Sequence, residues 1–446
     1  MAHGSVKYPY HVLVRWLRKG RSHRHPSWDP LQHLPPELVG AIFDHWLWLE
    51  ILHQRPNPSQ LPVLLSLVSK SWRDFVYGNP LLWRFVDIDA SCNAIRKLAA
   101  LKHRISRTQN TPLVLRLVVD SPPHLEAIQI LFSSSHRFCE LHLSISDLTG
   151  WWKNASMGPF SQLTKLVINA WPMHPGCGEL TSILSTAPLL HQTDWGAPID
   201  PSPLVGMYGH QFLTLDLCSL SLRTDSILNI LAACPQLLSA NFNFIVDMDE
   251  VFLQREVVME SLTSLTLKGP GYMPIHLLKS IHASRLRTFW IMWSGNGDRD
   301  PLTKPLTFFL MRSPLLQLLK LHYVIHSEMA LIWILRTHPC IRQLSIKVVP
   351  GSQGDLFTDR MFRLLTCKEG ETLRQGVLLP QLEELSISGG LEGMHGGTNK
   401  FGTSAILALI QSRSPKSPTL PAEAGLLRLV ELAHGHDSTS CSYCIR

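Results

Sequence analysis

Before Asp29 the chain has no acidic residue, while Lys7, Arg15, Arg18, Lys19, Arg21 and Arg24 all fall there. The formal charge of +7 is therefore six charges in this leader and one over everything that follows. A balanced body without Lys/Arg runs excludes the concentrated basic face of a nucleic-acid groove. The leader itself, "HVLVRWLRKGRSHRH", is Arg-rich and partly amphipathic, as organelle transit peptides are; a solvated, poorly ordered basic tail over 1–30 is the plainer reading. Long apolar runs are missing too. "FFLMRSPLLQLLKL" is broken by Arg312 and Pro314, and nothing reaches the eighteen or so residues that span a bilayer.

Regular cysteine spacing is also absent. Nine cysteines, at 92, 139, 177, 218, 234, 340, 367, 441 and 444, follow no disulfide frame. With no secretory apolar segment, the expectation is reduced thiols in the cytoplasm or nucleus. Cys441 and Cys444 form one C-x-x-C with His434 and His436 nearby, four ligands on paper. Their spacing fits no standard zinc frame, and a flexible tail is the simpler reading, so no metal is expected.

Chemistry is likewise scarce. There is no G-x-S-x-G, no H-E-x-x-H and no phosphate-cradling loop, since "GGLEGMHGGTNK" lacks the strand-to-helix setting and the Gly-Lys-Ser/Thr ending. The Asn154 sequon has no secretory context. The expectation is a non-catalytic chain without cofactors, without a membrane anchor and without a nucleic-acid partner.

What the sequence does contain is apolar patterning: 45% hydrophobic residues against 17% charged, enough to build a core. Residues 31–88 read as a small helical domain. In "LPPELVGAIFDHWLWLE", Pro35 and Pro36 suit a helix start, where the missing N–H has no partner anyway. Leu38, Ile42, Phe43 and Trp46 then follow at helical spacing, expected on one face. In "LSLVSKSWRDFV" a second stripe runs through Leu64, Leu65, Leu67, Val68, Trp72 and Phe75, and "GNPLLWRFVDID" turns into an extended end. Fewer than sixty residues bury little surface alone, so this unit calls for something to dock on.

From about residue 112 the texture becomes repetitive. An apolar anchor followed three and five places later by apolar residues recurs from Phe138, Leu163, Phe212, Leu237, Leu262, Leu286, Leu316, Ile341 and Leu382, with a weaker copy, Leu190–Thr193–Trp195. Up to Ile341 the starts lie 22 to 30 residues apart, the mark of stacked units. Proline two places before several anchors, as in "CPQLLSANF" and "HPCIRQLSI", ends the preceding helix. Each unit is thus a helix, a stop and a short strand with alternate residues inward. Burying three such side chains contributes about 5–9 kcal/mol per repeat before entropy is subtracted. Regularity fails after Leu382; the next start is Leu427, and "ISGGLEGMHGGTNKFG" and "SRSPKSPTLPAEAG" read as surface loops. The expected fold is α/β, a short helical domain followed over 89–446 by a solenoid with parallel strands on its concave face and helices on its convex face.

"LPPELVGAIF", "LSLVSKSWRDF" and "NPLLWRFVDI", in that order, resemble the F-box, and the whole chain resembles the F-box proteins with divergent leucine-rich repeats found in mushroom-forming fungi. The resemblance implies a three-helix unit that docks on the Skp adaptor of a cullin-RING ubiquitin ligase, with the repeats holding a protein substrate. Matched by position, Leu34, Pro35, Leu38, Ile42, Phe43, Leu67, Val68 and Trp72 would form the docking face. Ser69 stands where the family commonly has cysteine, and the link from about Leu49 to Leu61, with Pro56, Pro58 and Pro62, is longer than usual. Other readings are a helical cap on the first repeat and a repeat scaffold with no ligase role.

Strand residues alternating with the buried ones include Glu140, His142, Lys165, Asp216, Asn241, Asn243, Thr266, Lys268, Trp290, Met292, Lys320, His322, Lys347 and Glu384. Mixed charge with Trp290 and Met292 suits reading a protein. Within this set Asn241, Lys268, Trp290, Met292, Lys320 and His322 are the candidate substrate contacts. Trp290 is the single best anchor; a tryptophan covered by a neighbouring segment is the alternative.

Overall fold

The computed structural model describes residues 30–52, 60–89, 98–119, 125–145, 158–170, 178–196, 201–245, 255–269, 275–293, 303–325, 327–348, 356–367, 377–388, 403–413, 427, 429–433 and 440–444. The chain divides into two compact units, residues 1–88 with 95–116, and 89–94 with 117–446. The basic leader and most of the two stretches expected as surface loops, 389–402 and 414–426, lie outside the described residues.

In the first unit, α1 (Pro36–Leu52) opens with the Leu38 and Val39 N–H groups donating to the Pro35 carbonyl. Its inward side is Val39, Phe43 and Leu47, one turn apart. Leu38 and Ile42 point outward at 54% and 55% exposure, so the single face expected for Leu38, Ile42 and Phe43 is in fact two. The second stripe is likewise split. α2 (Leu61–Ser66) stops, and α3 (Lys70–Gly78) starts afresh because the Ser69 hydroxyl accepts from the Trp72 N–H at 3.2 Å. Leu67 and Val68 sit in the intervening turn.

The unit's core is aromatic. Phe43 lies 5.3 Å from Trp72 and 6.3 Å from Phe75, and Trp83 donates its indole N–H to the Val76 carbonyl at 2.9 Å. Arg84 pairs with Asp44 at 2.9 Å, and β1 (Phe85–Asp89) follows. The unit extends past the expected end at 88 because α4 (Leu98–Arg107) supplies cations to its rings. Arg104 lies over Trp83 and its Nε donates to the Phe85 carbonyl at 3.0 Å, while Arg107 covers Tyr77. Burial lowers the Arg104 guanidinium to about 10, against the opposing pull of Asp87. Beside β1 runs β2 (Leu113–Val119).

The second unit alternates strands and helices. Its strands are β3 (Phe138–Ile145), β4 (Lys165–Ala170), β5 (Gln192–Trp195), β6 (Thr214–Arg223), β7 (Ser239–Ile245), β9 (Ser264–Gly269), β11 (Thr288–Trp293), β12 (Leu318–His322), β13 (Gln343–Lys347), β14 (Glu384–Ser388), β15 (Leu429–Ala433) and β16 (Ser440–Cys444). They lie side by side in chain order, each parallel to the last until β16, which pairs antiparallel with β15. The stretch around Cys441 and Cys444, expected as a flexible tail, is thus a strand. A separate parallel pair, β8 (Val257–Val258) with β10 (Ile281–His282), lies outside this sheet. Helices α5 (Leu125–Phe132), α6 (Gly178–Ser185), α7 (Ser202–Tyr208), α8 (Thr224–Ala233), α9 (Ile275–Ser280), α10 (Thr303–Met311), α11 (Glu328–Thr337), α12 (Asp359–Leu365) and α13 (Thr403–Ser412) fall between strands. The arrangement is α/β, with a parallel sheet and helices, and is compatible with a leucine-rich-repeat-like solenoid.

The repeat pattern is what builds this core. Every anchor from Phe138 to Leu382, and both apolar partners of each, is buried, including Thr193 and Trp195 of the weak copy. Past the irregular gap the pattern resumes: Leu427 is buried, and Val430 and Leu432 pair with Leu385 and Ile387. The residue after each anchor extends the ladder by donating its N–H to the equivalent carbonyl one repeat earlier, as Arg287 does to Thr263, Gln317 to Arg287 and Arg342 to Gln317.

Helix stops are sealed by the buried residue before proline. Ser313 donates to the Ala283 carbonyl at 3.1 Å, and His338 Nε2 lies 2.7 Å from the Leu310 carbonyl. Arg413 is fully buried near the end of α13, its guanidinium donating to the carbonyls of Leu365, Leu378, Leu379 and Pro380. Those carbonyls satisfy the cation in place of a carboxylate.

Candidate functional site

Two surfaces stand out, one in each unit. On the first, Leu38, Ile42, Val63, Leu64, Leu67, Val68 and Leu81 are 37–67% exposed. Seven of the eighteen exposed large apolar side chains among the described residues thus fall between residues 38 and 81. Of the eight predicted docking residues, Leu38, Ile42, Pro35, Leu67 and Val68 are exposed and Leu34 is half-buried. Phe43 and Trp72 are corrected: at 5% and 6% exposure they face each other in the core and support the surface from beneath. Val63, Leu64 and Leu81 were not among the docking residues because none falls on a position matched to the family's docking face, and the stripe that includes Leu64 does not say which of its members a neighbour covers.

On the second unit, parallel register aligns the strand residues that alternate with the repeat core into rows, most of them half-buried, with Val167 and His322 buried. One row runs His142, Val167, Asp194, Asp216, Asn241, Thr266, Trp290, Lys320, Ser345 and Ser386. The next holds Asn243, Lys268, Met292, His322, Lys347 and Ser388. Register therefore brings all six predicted substrate contacts onto neighbouring strands, from Asn241 on β7 to Lys320 and His322 on β12.

Charge divides this face. On β3 to β6, Glu140 meets Lys165 at 3.5 Å and His142 at 3.4 Å. Burial alone would raise the Glu140 carboxyl, but its contacts with His142 and Lys165 outweigh burial and lower it. Asp194 is raised, by burial and then by the neighbouring charge of Asp216. Asp216 accepts from the Asn241 amide at 2.9 Å and from the Cys218 N–H at 3.0 Å. Asn241 is thus engaged with its neighbour.

On β9 to β13 the charge is positive. Lys268 Nζ lies 4.5 Å and Lys320 Nζ 5.2 Å from the Trp290 ring centroid, so two ammonium groups share one aromatic ring. Trp290 is half-buried, and its indole N–H donates to His322 Nδ1 at 3.2 Å. Because Nδ1 accepts, the other ring nitrogen carries the proton and faces the Ser345 hydroxyl at 3.4 Å. His322 is corrected from a contact to a support: it is 5% exposed, and burial, then Lys347 and Lys320, push its imidazole down to about 3. A neutral imidazole fixes the Trp290 ring between its lysines. Asp194 was missed because its copy of the repeat carries Thr193 where others have an apolar residue.

Among the described residues, no three His, Cys, Asp or Glu side chains converge as a metal-ligand set, and no helix is long and apolar enough to cross a membrane. His434 and His436, the other half of the paper zinc site, lie outside the described residues.

No family model and no curated protein matches the chain. Among solved structures, a structural-genomics crystal structure of a Bacteroides fragilis protein matches at 10% identity with a TM-score of 0.26, over 50% of this chain and 65% of that one. The chain thus spans less than two thirds of that structure, and a likeness of this size carries no argument about function.

Proposed function

We propose that this chain is the substrate-recognition subunit of a Skp-cullin-F-box type ubiquitin ligase. In this reading the first unit is a three-helix F-box formed by α1, α2 and α3, and the second is a leucine-rich-repeat-like solenoid whose open sheet face holds a protein substrate. The chain performs no chemistry. Its contribution is proximity, raising the local concentration of substrate near a ubiquitin-charged partner.

One observation carries the reading: Leu38, Ile42, Leu67 and Val68, four of the residues that the resemblance assigns to adaptor contact, are 54%, 55%, 67% and 37% exposed, although Phe43, Trp72 and Val39 already complete the unit's own core. Apolar side chains left over from a filled core gain most from a partner. Ser69, where the family commonly has cysteine, is compatible with it, because its hydroxyl caps α3.

The test is co-expression of the full chain with a Skp-type adaptor. Stoichiometric co-purification is expected, and loss of it in the Leu38→Asp, Leu67→Asp double variant, with circular dichroism unchanged. Capture that is absent from the wild type or indifferent to these substitutions would instead support a scaffold without a ligase. Trp72→Ala is a poor probe, because it empties the core.

A further inference from the structure

We propose that the open sheet face from β9 to β13 binds an acidic segment of a partner protein, with Lys268, Lys320 and Lys347 as its cations and Trp290 as its floor. The inference rests on the reading of this face as the surface that holds the substrate; it is independent of how the first unit docks.

Three observations converge on it. The first is missing neutralisation. Among the described residues Lys268, Lys320 and Lys347 make no ion pair, whereas Lys165, on the same face, is matched by Glu140 at 3.5 Å. The positions of β9, β11, β12 and β13 that alternate with the repeat core carry no carboxylate at all: they are Ser264, Thr266 and Lys268, then Thr288, Trp290 and Met292, then Leu318, Lys320 and the buried His322, then Gln343, Ser345 and Lys347. Among the described residues, the nearest acids on the face are Asp216 on β6 and Glu384 on β14, in the row of Gln343.

The second is preorganisation. Two ammonium groups lean on one indole ring, which the His322 and Ser345 relay holds in place. Like charges gathered on one ring repel, and an anion seated between them relieves that repulsion. Neutral His322 adds a fixed hydrogen-bonded support without a charge of its own, so the positive field comes from the lysines alone.

The third is dimension and sign. Lys268 and Lys347 occupy one row three strands apart, about 14 Å at the spacing of paired strands. An extended segment of roughly four or five residues covers that span at about 3.4 Å per residue, which sets two or three acidic side chains opposite the three lysines. A nucleic acid suits the face less well. Its backbone would run from the lysines onto Asp216 and Asp194, and the cationic part offers no arginine fork for phosphate.

Fluorescence anisotropy of the full chain with a labelled decapeptide of alternating Glu and Ser tests the proposal. Parallel arms use its phosphoserine counterpart, a Lys/Ser control and an oligouridylate of matched charge. Expected are saturable, salt-sensitive binding of the Glu/Ser peptide and none of the Lys/Ser control. Lys268→Glu with Lys320→Glu should weaken binding about tenfold or more, while Lys279→Glu with Lys304→Glu, reversed charges on α9 and α10, should leave it unchanged. If the reversal variant misfolds, Lys268→Met with Lys320→Met gives the same reading with less repulsion. Tighter binding of the phosphoserine peptide would assign the anion to phosphate on a protein segment. Absence of peptide binding, equal weakening by the α9 and α10 reversal, or preference for the oligonucleotide would each overturn the proposal. Adaptor capture is measured on the same preparations: peptide binding without capture contradicts only the ligase reading, and capture without peptide binding contradicts only this one.

Discussion

The two units dispose of their apolar side chains in opposite ways. In the second, three residues of each repeat turn inward and are buried, and the uncovered strand positions are mostly polar or charged. In the first, α1 is apolar on two sides, and Leu38, Ile42, Leu67 and Val68 are left in contact with solvent after Phe43, Trp72 and Val76 have filled the interior. A repeat can leave its open face polar because its neighbours complete its core. A unit of about a hundred residues has the same need for burial and fewer neighbours to satisfy it. The contrast teaches that exposure, not hydrophobicity, separates a proposed docking residue from a core residue when both obey the same helical spacing.

Truncation should sharpen the contrast most. Leu319→Ala, at a fully buried repeat position, is expected to cost about 3–5 kcal/mol, whereas Leu67→Ala, 67% exposed, should stay within about 0.5 kcal/mol. Urea unfolding of both variants checks this, and equal losses would break the distinction between the units.

Acidification comes next. His322 is neutral in the folded chain down to about pH 3, while an unfolded histidine takes up a proton below about 6.5. The unfolded state therefore binds more protons between those values, and stability contributed by this site is intact above 6.5 and lost as pH falls. On the order of 1–2 kcal/mol should be lost by pH 5. The melting temperature of the wild type should fall more steeply with pH than that of His322→Gln; identical slopes would mean that the imidazole is not held neutral.

Loss of the Ser69 cap is expected to have the smallest effect. Ser69→Ala removes the acceptor of the Trp72 N–H and should cost about 1 kcal/mol, read from thermal unfolding, with Ser69→Cys recovering little of it.

Much of the second unit was legible in the sequence because its rule is local and repeated. Three apolar residues at fixed offsets, followed by a proline-marked stop, leave few alternatives for where a strand lies and which residues it buries, and the register of Trp290 with Lys320 follows from aligning the anchors. The first unit was legible as helices but not in its facing. α1 carries Leu38, Val39, Ile42, Phe43 and Leu47, and either side would serve as a buried stripe until Phe43 is seen against Trp72. The break between α2 and α3 depends on one hydroxyl, Ser69, inside an apparently continuous stripe. Arg413 had no signal, because its partners are main-chain carbonyls, which carry no residue identity. His322 was placed on the correct side of its strand, but alternation says nothing of how far Trp290 covers it.

Hydrogen exchange on the full chain, with and without a Skp-type adaptor, tests the central claim most directly. Protection is expected over Leu38–Ile42 and Leu64–Trp72, with the repeat strands unchanged. Protection confined to the repeats, or none in either stretch of the first unit, would contradict the account.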